Sequence, residues 1–568
     1  MENETLVEYV ICVKDASDLE SLYEDLETPG GSETIPDRKI ECLNRRPISR
    51  NTHYMLTDEE SVLISNDPRV QFTEKILPRK YAKKVLAYTH SSNNWDKAEY
   101  TESNDKNWGL LRCVEGIQRS DWGTDNTPNV IGDVTLTSSG KGVDVVIADG
   151  HVYADHPEFA VNPDGTGGTR VKQYNWYQHT PAITGGASGN YEYPPKEWLG
   201  NGTDNHGTHV AGTVAGNSQG WARDADIYNI TFSDHIDVKT DYPGTYTNVP
   251  QAYLNIGNYV FDYIRLFHTT KTTNRPTIVN NSWGENYGIV RSKIVSIIYK
   301  GNTITKPSGG FTDAQLESYG LLIYDNTWVI IDLWSDADIV NITDAINAGV
   351  IIVACAMNTS SKADIYGVNN DYNNRITFKV DTDPTIYGAY YARGNWVLGA
   401  PGSICVGAIS ELTNDSKAFY SNCGPRVDIY APGTWIQSSV YNGNRPVGTN
   451  PVGVVPVADD PRNPIFKLKK YRGTSMAAPQ VTGLLACVLE NYPRMKSVDC
   501  LNYIINTAKV DQITDSGGSY TDYTSLQGGP NRYLFYKKER TTTGMITAQL
   551  TTNVRKPSGM MFPRRRFI

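Results

Sequence analysis

The first 80 residues carry two hydrophobic patterns in turn, one typical of strands and one typical of helices. Apolar and polar side chains alternate over residues 6–13, which predicts a strand, and apolar side chains recur at helical spacing over residues 19–26. Two motifs typical of capping boxes mark helix starts: Ser17 with Glu20, and Thr57 with Glu60. Further strands are predicted at residues 40–42, 53–56 and 70–76. The βαββαβ order predicts a small α+β, ferredoxin-like domain over residues 1–80.

Beyond residue 107 the pattern changes to short apolar runs separated by helical segments. Such runs occur at residues 143–148, 225–232, 276–281, 349–356 and 403–408. Continuous apolar runs are typical of parallel strands that are buried on both faces, and their alternation with helices is typical of a doubly wound sheet. We therefore predict an α/β domain over residues 108–510, with a mainly parallel sheet flanked by helices.

Two polar segments lie outside these domains. Residues 81–107 have few apolar side chains and are predicted to be a linker or processing segment. Residues 511–568 are rich in Gly, Ser, Thr and Tyr and are predicted to be a C-terminal extension with a basic tail. This tail fits either docking on an acidic particle or assembly partner, or a merely solvated terminus.

Composition narrows the class of protein only slightly. The formal net charge of −9 over 568 residues argues against a general nucleic-acid-binding surface. The acidic N-terminus carries neither a secretory signal nor a membrane span, so an intracellular or virus-particle-associated protein is expected rather than a classically secreted one. The eight cysteines lack metal-ligand spacing and are expected to be reduced thiols in the core.

The strongest chemical signal is the heptapeptide GTSMAAP at residues 473–479, which precedes a helical pattern at residues 481–489. Since Pro479 is tolerated in a first helical turn, Ser475 is expected at a helix N-terminus. The helix dipole and free backbone N–H groups favour an oxyanion there. An isolated serine in this place would be an ordinary helix cap, but the whole heptapeptide favours a nucleophile.

A serine nucleophile requires a general base, and His206 is the candidate. The run at residues 205–213 places His206 at the start of a helix. His209 lies one turn later and is expected to pack and hydrogen-bond structurally. A zinc site through both histidines is not favoured, because a nearby third ligand and the glutamate of zinc-protease helices are missing from the sequence.

Two further residues complete the candidate chemistry. Asp149 ends an apolar strand at the edge where sites of open α/β sheets lie, and a carboxylate there would fix the tautomer of the base. Asp144 is the rival carboxylate, but it begins the strand and would face the other end. Asn358 follows the apolar run at residues 349–356 and is the candidate oxyanion donor, although such an asparagine is ordinarily a turn residue.

Together these motifs resemble those of the subtilase family, in which the chain order is Asp, His, Ser. The resemblance covers residues 1–80, which are similar to subtilase propeptides, and roughly residues 108–510. Further matching landmarks are the runs at residues 280–284, 420–424 and 427–433. The resemblance implies a subtilisin-like fold and an edge strand that binds the substrate backbone through Ser282, Trp283 and Gly284.

The sequence departs from the family pattern at three positions. Asp149 is followed by Gly150 and His151 rather than by Ser or Thr and then Gly, which puts the hydrogen bonding around Asp149 in question. Met357 stands where Gly usually precedes the oxyanion amide, and its bulk predicts a preference for small or modest P1 side chains. Gln480 stands where His is common, and this change is interpreted as neutral.

Residues 285–335 separate Gly284 from the next family-like helix and are interpreted as an insertion. They contain a glycine turn at residues 308–310 and strand-like runs at residues 321–324 and 328–333. The insertion is expected either to shape the substrate cleft or to mediate assembly.

The resemblance implies a serine endopeptidase that is made as a self-inhibited zymogen. Its substrates would be proteins or peptides, and its own N-terminal domain would inhibit the site until the linker is cut. No cofactor is required. Calcium stabilises many relatives, but no metal site is predicted because the sequence lacks a specific ligand cluster. The alternative is a catalytically weak structural or assembly component with the same fold, for example in a virus particle.

Overall fold

The computed structural model describes most of the chain up to residue 537. The described residues are 6–46, 48–76, 82–86, 107–117, 123–124, 127–128, 136–185, 205–231, 259–324, 327–367, 370–380, 383–410, 415–441, 458–518, 522 and 524–537. Most of the predicted linker and the whole basic tail therefore lie outside the described residues.

Four antiparallel strands and two helices form the N-terminal domain. The strands are β1 (Val7–Val13), β2 (Glu41–Asn44), β3 (Asn51–Leu56) and β4 (Val70–Lys75), in the order β2-β3-β1-β4. The helices are α1 (Leu19–Glu27) and α2 (Asp58–Ile64). Both helices pack on the sheet through an apolar cluster that includes Leu22, Leu26 and Ile64. The predicted βαββαβ order of elements is observed.

One of the two predicted capping boxes is correct and the other is wrong. Thr57 and Glu60 form the reciprocal pair of hydrogen bonds that begins α2. Ser17, in contrast, lies inside a short 3₁₀ turn that precedes α1, and both its backbone N–H and its hydroxyl donate to Asp15. Asp15 caps this turn because a carboxylate two residues earlier competes successfully with the predicted serine cap.

In the described part of the chain, nine strands form the central sheet. They are β8 (Asp144–Asp149), β9 (Val171–Lys172), β10 (Asp226–Thr231), β11 (Thr277–Asn281), β17 (Ile351–Cys355), β20 (Ile404–Ile409), β21 (Ile429–Pro432), β25 (Lys509–Val510) and β26 (Arg532–Tyr533). Their order is β25-β26-β21-β20-β17-β11-β8-β10-β9, and all pairs are parallel except β25 with β26. The five apolar runs of the sequence are β8, β10, β11, β17 and β20, which confirms the mainly parallel sheet. Because β26 joins it, the sheet extends into the region predicted as a C-terminal extension.

Smaller antiparallel sheets surround the central one. The insertion supplies β12 (Trp283–Val290), β15 (Leu322–Tyr324) and β16 (Trp328–Asp332), which together with β5 (Ala82–Leu86) form a sheet in the order β15-β16-β12-β5. A second sheet contains β13 (Ile294–Tyr299), β14 (Asn302–Thr305), β18 (Arg375–Val380) and β19 (Asp383–Tyr390). The remaining strands are β6 (Gly123–Thr124), β7 (Thr127–Pro128), β22 (Ile436–Tyr441), β23 (Ala458–Asp460) and β24 (Asn463–Tyr471).

Helices flank the central sheet, as predicted. Beyond the N-terminal domain the described helices are α3 (Trp108–Glu115), α4 (Thr180–Thr184), α5 (His206–Ala215), α6 (Val260–Thr270), α7 (Asp313–Ser318), α8 (Asp336–Asn347), α9 (Thr474–Asn491) and α10 (Ser497–Thr507). Helices α5 and α9 pack against each other and against the sheet. Their approach is close, since a Cβ on Gly483 of α9 would lie 2.8 Å from the carbonyl oxygen of Val214 in α5.

This close approach predicts that Gly483→Ala destabilises the protein. The new methyl group would also lie 2.7 Å from Cβ of Trp221, so helix α9 must shift, and we expect a loss of about 1–3 kcal/mol in the free energy of unfolding. Thermal or denaturant unfolding of the full chain measures this loss of free energy of unfolding. The matched control is Gly309→Ala, where nothing lies within 4 Å of the added Cβ. Equal stability of the two variants would contradict the close helix packing.

Candidate active site

Asp149 and His206 lie side by side at the carboxyl end of β8. Asp149 is the last residue of β8, and His206 is the first residue of α5. The Nδ1 atom of His206 donates to Oδ1 of Asp149 over 2.6 Å, and both side chains are buried. Because Nδ1 carries the proton that the buried carboxylate accepts, Nε2 of the neutral ring is unprotonated and can take up a proton.

Hydrogen bonds fix the loop after Asp149, although its sequence departs from the family pattern. The backbone N–H of Gly150 donates to Oδ1 of Asp149 over 2.7 Å. The side chain of Asn229 spans the loop, donating to Gly150 O over 3.0 Å and accepting from Val152 N over 3.1 Å. A Cβ on Gly207 would lie 2.4 Å from Gly150 O, so only glycine allows α5 to approach this loop so closely.

The two rival residues of the sequence analysis have structural partners. Nε2 of His209 lies 2.9 Å from the carbonyl oxygen of Ile436 and 3.0 Å from that of Lys469. Burial lowers the pKa of His209 to about 3, so the ring is neutral. Asp144, at the other end of β8, forms an ion pair with Lys271 over 2.7 Å.

Ser475 lies in the first turn of α9 and is fully buried. Its hydroxyl donates to the carbonyl oxygen of Ser282 over 2.8 Å, and the hydroxyl of Ser282 donates to Ser475 O over 3.0 Å. These reciprocal bonds tie the helix to the start of β12. The hydroxyl proton of Ser475 must therefore turn away from Ser282 before it can be transferred to a base.

Asn358 lies beside the same helical turn. Its Oδ1 accepts from the backbone N–H and from the hydroxyl of Thr474, both at 2.9 Å. This pairing fixes the orientation of the amide and leaves the buried Nδ2 without a hydrogen-bond partner among the described residues. A buried, oriented amide donor next to a candidate nucleophile is suited to an oxyanion. Sequence reasoning missed Thr474, although it belongs to the motif that contains Ser475.

Met357 adopts a backbone conformation that explains why glycine is usual at this position. Its φ angle is +81°, in the left-handed region that most side chains avoid. The side chain is buried, and Sδ lies 2.6 Å from where a Cβ on Gly284 would be. The bulk of Met357 therefore lies directly against the start of β12.

Trp283 and Gly284 begin strand β12, and Ser282 directly precedes it. Strand β12 pairs antiparallel with β16 from Asn286 onward on one side, and with β5 on the other, where Trp283 is opposite Leu86 and Gly284 is opposite Val85. The sequence analysis predicted an edge strand that pairs with the substrate backbone, and in the structure a segment of the same chain pairs with Trp283 and Gly284. Sequence reasoning missed β5, because five residues with two lysines give no clear strand pattern.

Asn422 is a further residue to which the sequence analysis gave no role. Its backbone N–H donates to Met357 O over 3.0 Å, and its Oδ1 accepts from the backbone N–H groups of Thr359 and Ser361, each over 3.0 Å. Asn422 therefore holds the loop that follows Asn358. The only sequence signal was its place in the landmark run at residues 420–424.

Two other kinds of site are absent from the residues that the structure describes. No group of three or more His, Cys, Asp or Glu side chains there could hold a metal ion. No helix there is sufficiently long and apolar to cross a membrane.

The chain is similar in sequence to known proteins over most of its length. Residues 140–533 match the profile of the Subtilase family. A subtilisin-like protease of Coccidioides posadasii is 24% identical over 522 residues, which are 88% of this chain and 73% of the relative. An extracellular serine proteinase of a Thermus species is 23% identical over 400 residues, which cover 70% and 63% of the two chains. The solved structure of fervidolysin from Fervidobacterium pennivorans, a keratinolytic enzyme related to subtilisin, is 17% identical, with a TM-score of 0.45 and coverage of 94% and 61%.

The short contact between Asp149 and His206 predicts a distinctive proton NMR signal. A proton held between Nδ1 and a buried carboxylate resonates far downfield, because the bond is short and charge-assisted. We expect this resonance in the full chain and its loss in Asp149→Ala. Ser475→Ala is the control and should keep it, since the hydroxyl of Ser475 is bonded to Ser282. A resonance that survives in Asp149→Ala would show that His206 has another partner.

Proposed function

The chain belongs to the subtilase family and is a serine peptidase, and on this premise we propose that Asp149, His206 and Ser475 act together as its catalytic triad. The observation that carries the proposal is the buried 2.6 Å hydrogen bond from His206 to Asp149, with Ser475 in the first turn of α9. The reaction is the cleavage of a peptide bond by acyl transfer to Ser475 and then to water.

Each residue has one task in this mechanism. His206 Nε2 accepts the hydroxyl proton of Ser475 while Oγ attacks the carbonyl carbon, and it then gives that proton to the leaving amine. Asp149 stabilises the charged imidazole. The oxygen of the tetrahedral intermediate accepts hydrogen bonds from Nδ2 of Asn358 and from the backbone N–H of Ser475. Water repeats the cycle on the acyl-enzyme and releases the acid.

We further propose that the N-terminal domain inhibits this site until it is cleaved. Its contacts with the helices of the larger domain support this role. Arg46 and Asp262 of α6 form a buried ion pair over 2.6 Å, and Nδ2 of Asn51 donates to Ala337 O over 2.8 Å. Glu74 accepts from the backbone N–H of Ala337 over 2.7 Å at the N-terminus of α8, while burial and the nearby Asp336 raise the pKa of its carboxyl group to about 8.

The register of β5 on β12 supports a proposal for the bond that is cut. Leu86, the last residue of β5, is opposite Trp283. Ser282 directly precedes Trp283, and its carbonyl oxygen is 2.8 Å from Oγ of Ser475. We therefore propose that the chain is cut one position beyond Leu86, between Ala87 and Tyr88. Alanine has the small side chain that the bulk of Met357 is predicted to favour at P1.

The alternative of an inactive assembly component gains no support from the described residues or from the comparisons. Asp149 and His206 form a buried, hydrogen-bonded pair of titratable groups, and such pairs cluster at functional sites. Association with a particle through the basic tail concerns residues outside the described ranges.

Self-processing is the first test. The full wild-type chain, incubated at neutral pH, is expected to yield a new N-terminus at Tyr88, whereas Ser475→Ala stays intact. Mass spectrometry of new N-termini measures both. Ser65→Ala, at an exposed serine of the N-terminal domain, is the matched control and should process like the wild type. Asn358→Leu should slow the cut by about 10²–10³-fold, the loss known for one oxyanion amide in a member of this family.

Three outcomes would count against parts of this proposal. A cut in Ser475→Ala would point to a contaminating protease, and an intact wild-type chain would contradict self-processing. A cut between other residues would leave the triad in place but refute the register assignment.

Met357 is predicted to restrict the P1 side chain. The processed enzyme should prefer peptides with Ala or Ser at P1, and Met357→Gly should raise kcat/KM for a peptide with Phe at P1 by about 10–100-fold, since each misfit methylene costs roughly 1–3 kcal/mol. Glycine also tolerates the positive φ angle at this position. The control is the same peptide with Ala at P1, whose kcat/KM should change little. An unchanged preference would show that another residue limits the pocket.

A further inference from the structure

The insertion contributes a buried carboxyl group to the region behind the oxyanion amide. Asp332 is the last residue of β16 and is buried. Asn422 Nδ2 donates to Asp332 Oδ2 over 2.6 Å, and the hydroxyl of Thr359 lies 3.2 Å from both carboxyl oxygens. Thr359 directly follows Asn358 in the chain. The carboxyl group is therefore two hydrogen bonds away from the backbone that carries the oxyanion donor.

Asp332 determines the orientation of the side-chain amide of Asn422. Because Nδ2 faces Asp332, Oδ1 faces the backbone N–H groups of Thr359 and Ser361 and accepts from both. A rotated amide would instead present its NH₂ group to these two donors and would lose both bonds. Asp332, as the acceptor in β16, thus keeps the loop at residues 357–361 hydrogen-bonded to Asn422.

This loop needs such support because its backbone is strained. Met357 and Ser360 have φ angles of +81° and +52°, which non-glycine residues adopt only when their surroundings hold them there. Asn358 lies between these two residues. If the loop relaxes, the amide of Asn358 moves, and an oxyanion donor is effective only when it is about 2.7–3.1 Å from the developing charge.

We propose that Asp332 is a positioning residue for the reaction: through Asn422 it holds the loop at residues 357–361 so that Nδ2 of Asn358 points at the oxyanion. The inference rests on the proposed function. It also assigns a role to the insertion, which reaches the reaction centre through this side chain.

Asp332 also connects the loop to the strand that binds peptide backbone. It is directly opposite Asn286 of β12, and with its amide nitrogen turned toward the carboxyl group Asn286 donates to Oδ1 of Asp332 over 3.0 Å. Strand β12 in turn pairs with β5. One carboxyl group therefore accepts hydrogen bonds from Asn422, which holds the loop at residues 357–361, and from Asn286 of strand β12.

The protonated form of Asp332 indicates which substitution preserves its hydrogen bonds. Burial raises the pKa of Asp332 to about 7, although the hydrogen bonds from Asn422 and Thr359 favour the charged form. The protonated carboxyl can donate to Oγ1 of Thr359, whose hydroxyl in turn donates to Oδ1 of Asn422 over 2.9 Å. Asparagine keeps the bonds to Thr359 and Asn422, because its NH₂ donates to Thr359 and its oxygen accepts from Asn422, and Asn286 accepts from the new NH₂ once its own amide turns its oxygen toward residue 332.

The experiment measures self-processing of the full chain as a first-order rate. Asp332→Leu should lower this rate by about 10-fold or more, whereas Asp332→Asn should stay within about 3-fold of the parent. In an Asn358→Ala background, Asp332→Leu should add less than about 2-fold, since a residue that acts through Asn358 has no effect without it. A merely structural role would not produce this dependence on Asn358.

A second pair of variants keeps the test decisive if Asp332→Leu fails to fold. Thermal unfolding in a Ser475→Ala background checks the fold of each variant without processing. Thr359→Val removes the hydroxyl at constant shape and should slow processing, whereas Thr359→Ser keeps the hydroxyl and should not. The effect of Thr359→Val should likewise disappear in the Asn358→Ala background.

Each outcome has a separate meaning. If the parent chain does not process itself, the proposed function fails. If the parent processes and folded Asp332→Leu is equally fast, only the positioning role is overturned. If the loss in Asp332→Leu adds in full to that of Asn358→Ala, Asp332 does not act through the amide, and the inference is also wrong.

Discussion

The candidate chemistry depends on the parallel pairing of three neighbouring strands, β8, β11 and β17. Because the carboxyl ends of parallel strands meet at one edge of the sheet, the residues that end or follow these strands gather there: Asp149, Ser282 and Asn358. Helices α5 and α9 then bring His206 and Ser475 to the same edge through their first turns. A fault in the pairing of any of the three strands would separate groups that function only together.

Much of this arrangement is visible in the sequence, because local patterns determine it. The apolar runs predicted the parallel strands, and the motifs around His206 and Ser475 predicted that both residues lie at the start of helices. Other features could not be predicted. Nothing local shows that Met357 has a positive φ angle, since that conformation is imposed by contacts with Asn422. The bond between Asp332 and Asn422 joins residues 90 positions apart and leaves no periodic signal.

The N-terminal domain and the larger domain each have an apolar core, and ion pairs join them. The N-terminal domain has an apolar cluster of its own, which is separate from the main core. The contacts that join the two include the ion pairs of Arg46 with Asp262 and of Arg50 with Asp344, and Ile48 packs against the main core. Interfaces between domains of one chain are more polar than those of obligate partners. Polar contacts across this interface are compatible with the separation of the two domains that the proposed function requires.

The pairing of β5 with β12 has a kinetic consequence. Because β5 is tethered to the same chain, any external peptide that approaches β12 competes with a strand whose effective concentration is in the millimolar range for short connections. In the proposed function, a cut after β5 leaves that strand covalently attached to the N-terminal domain. Binding of an external peptide would then wait for dissociation of that domain, so dilution or destruction of the domain, rather than the cut itself, would make the cleft available.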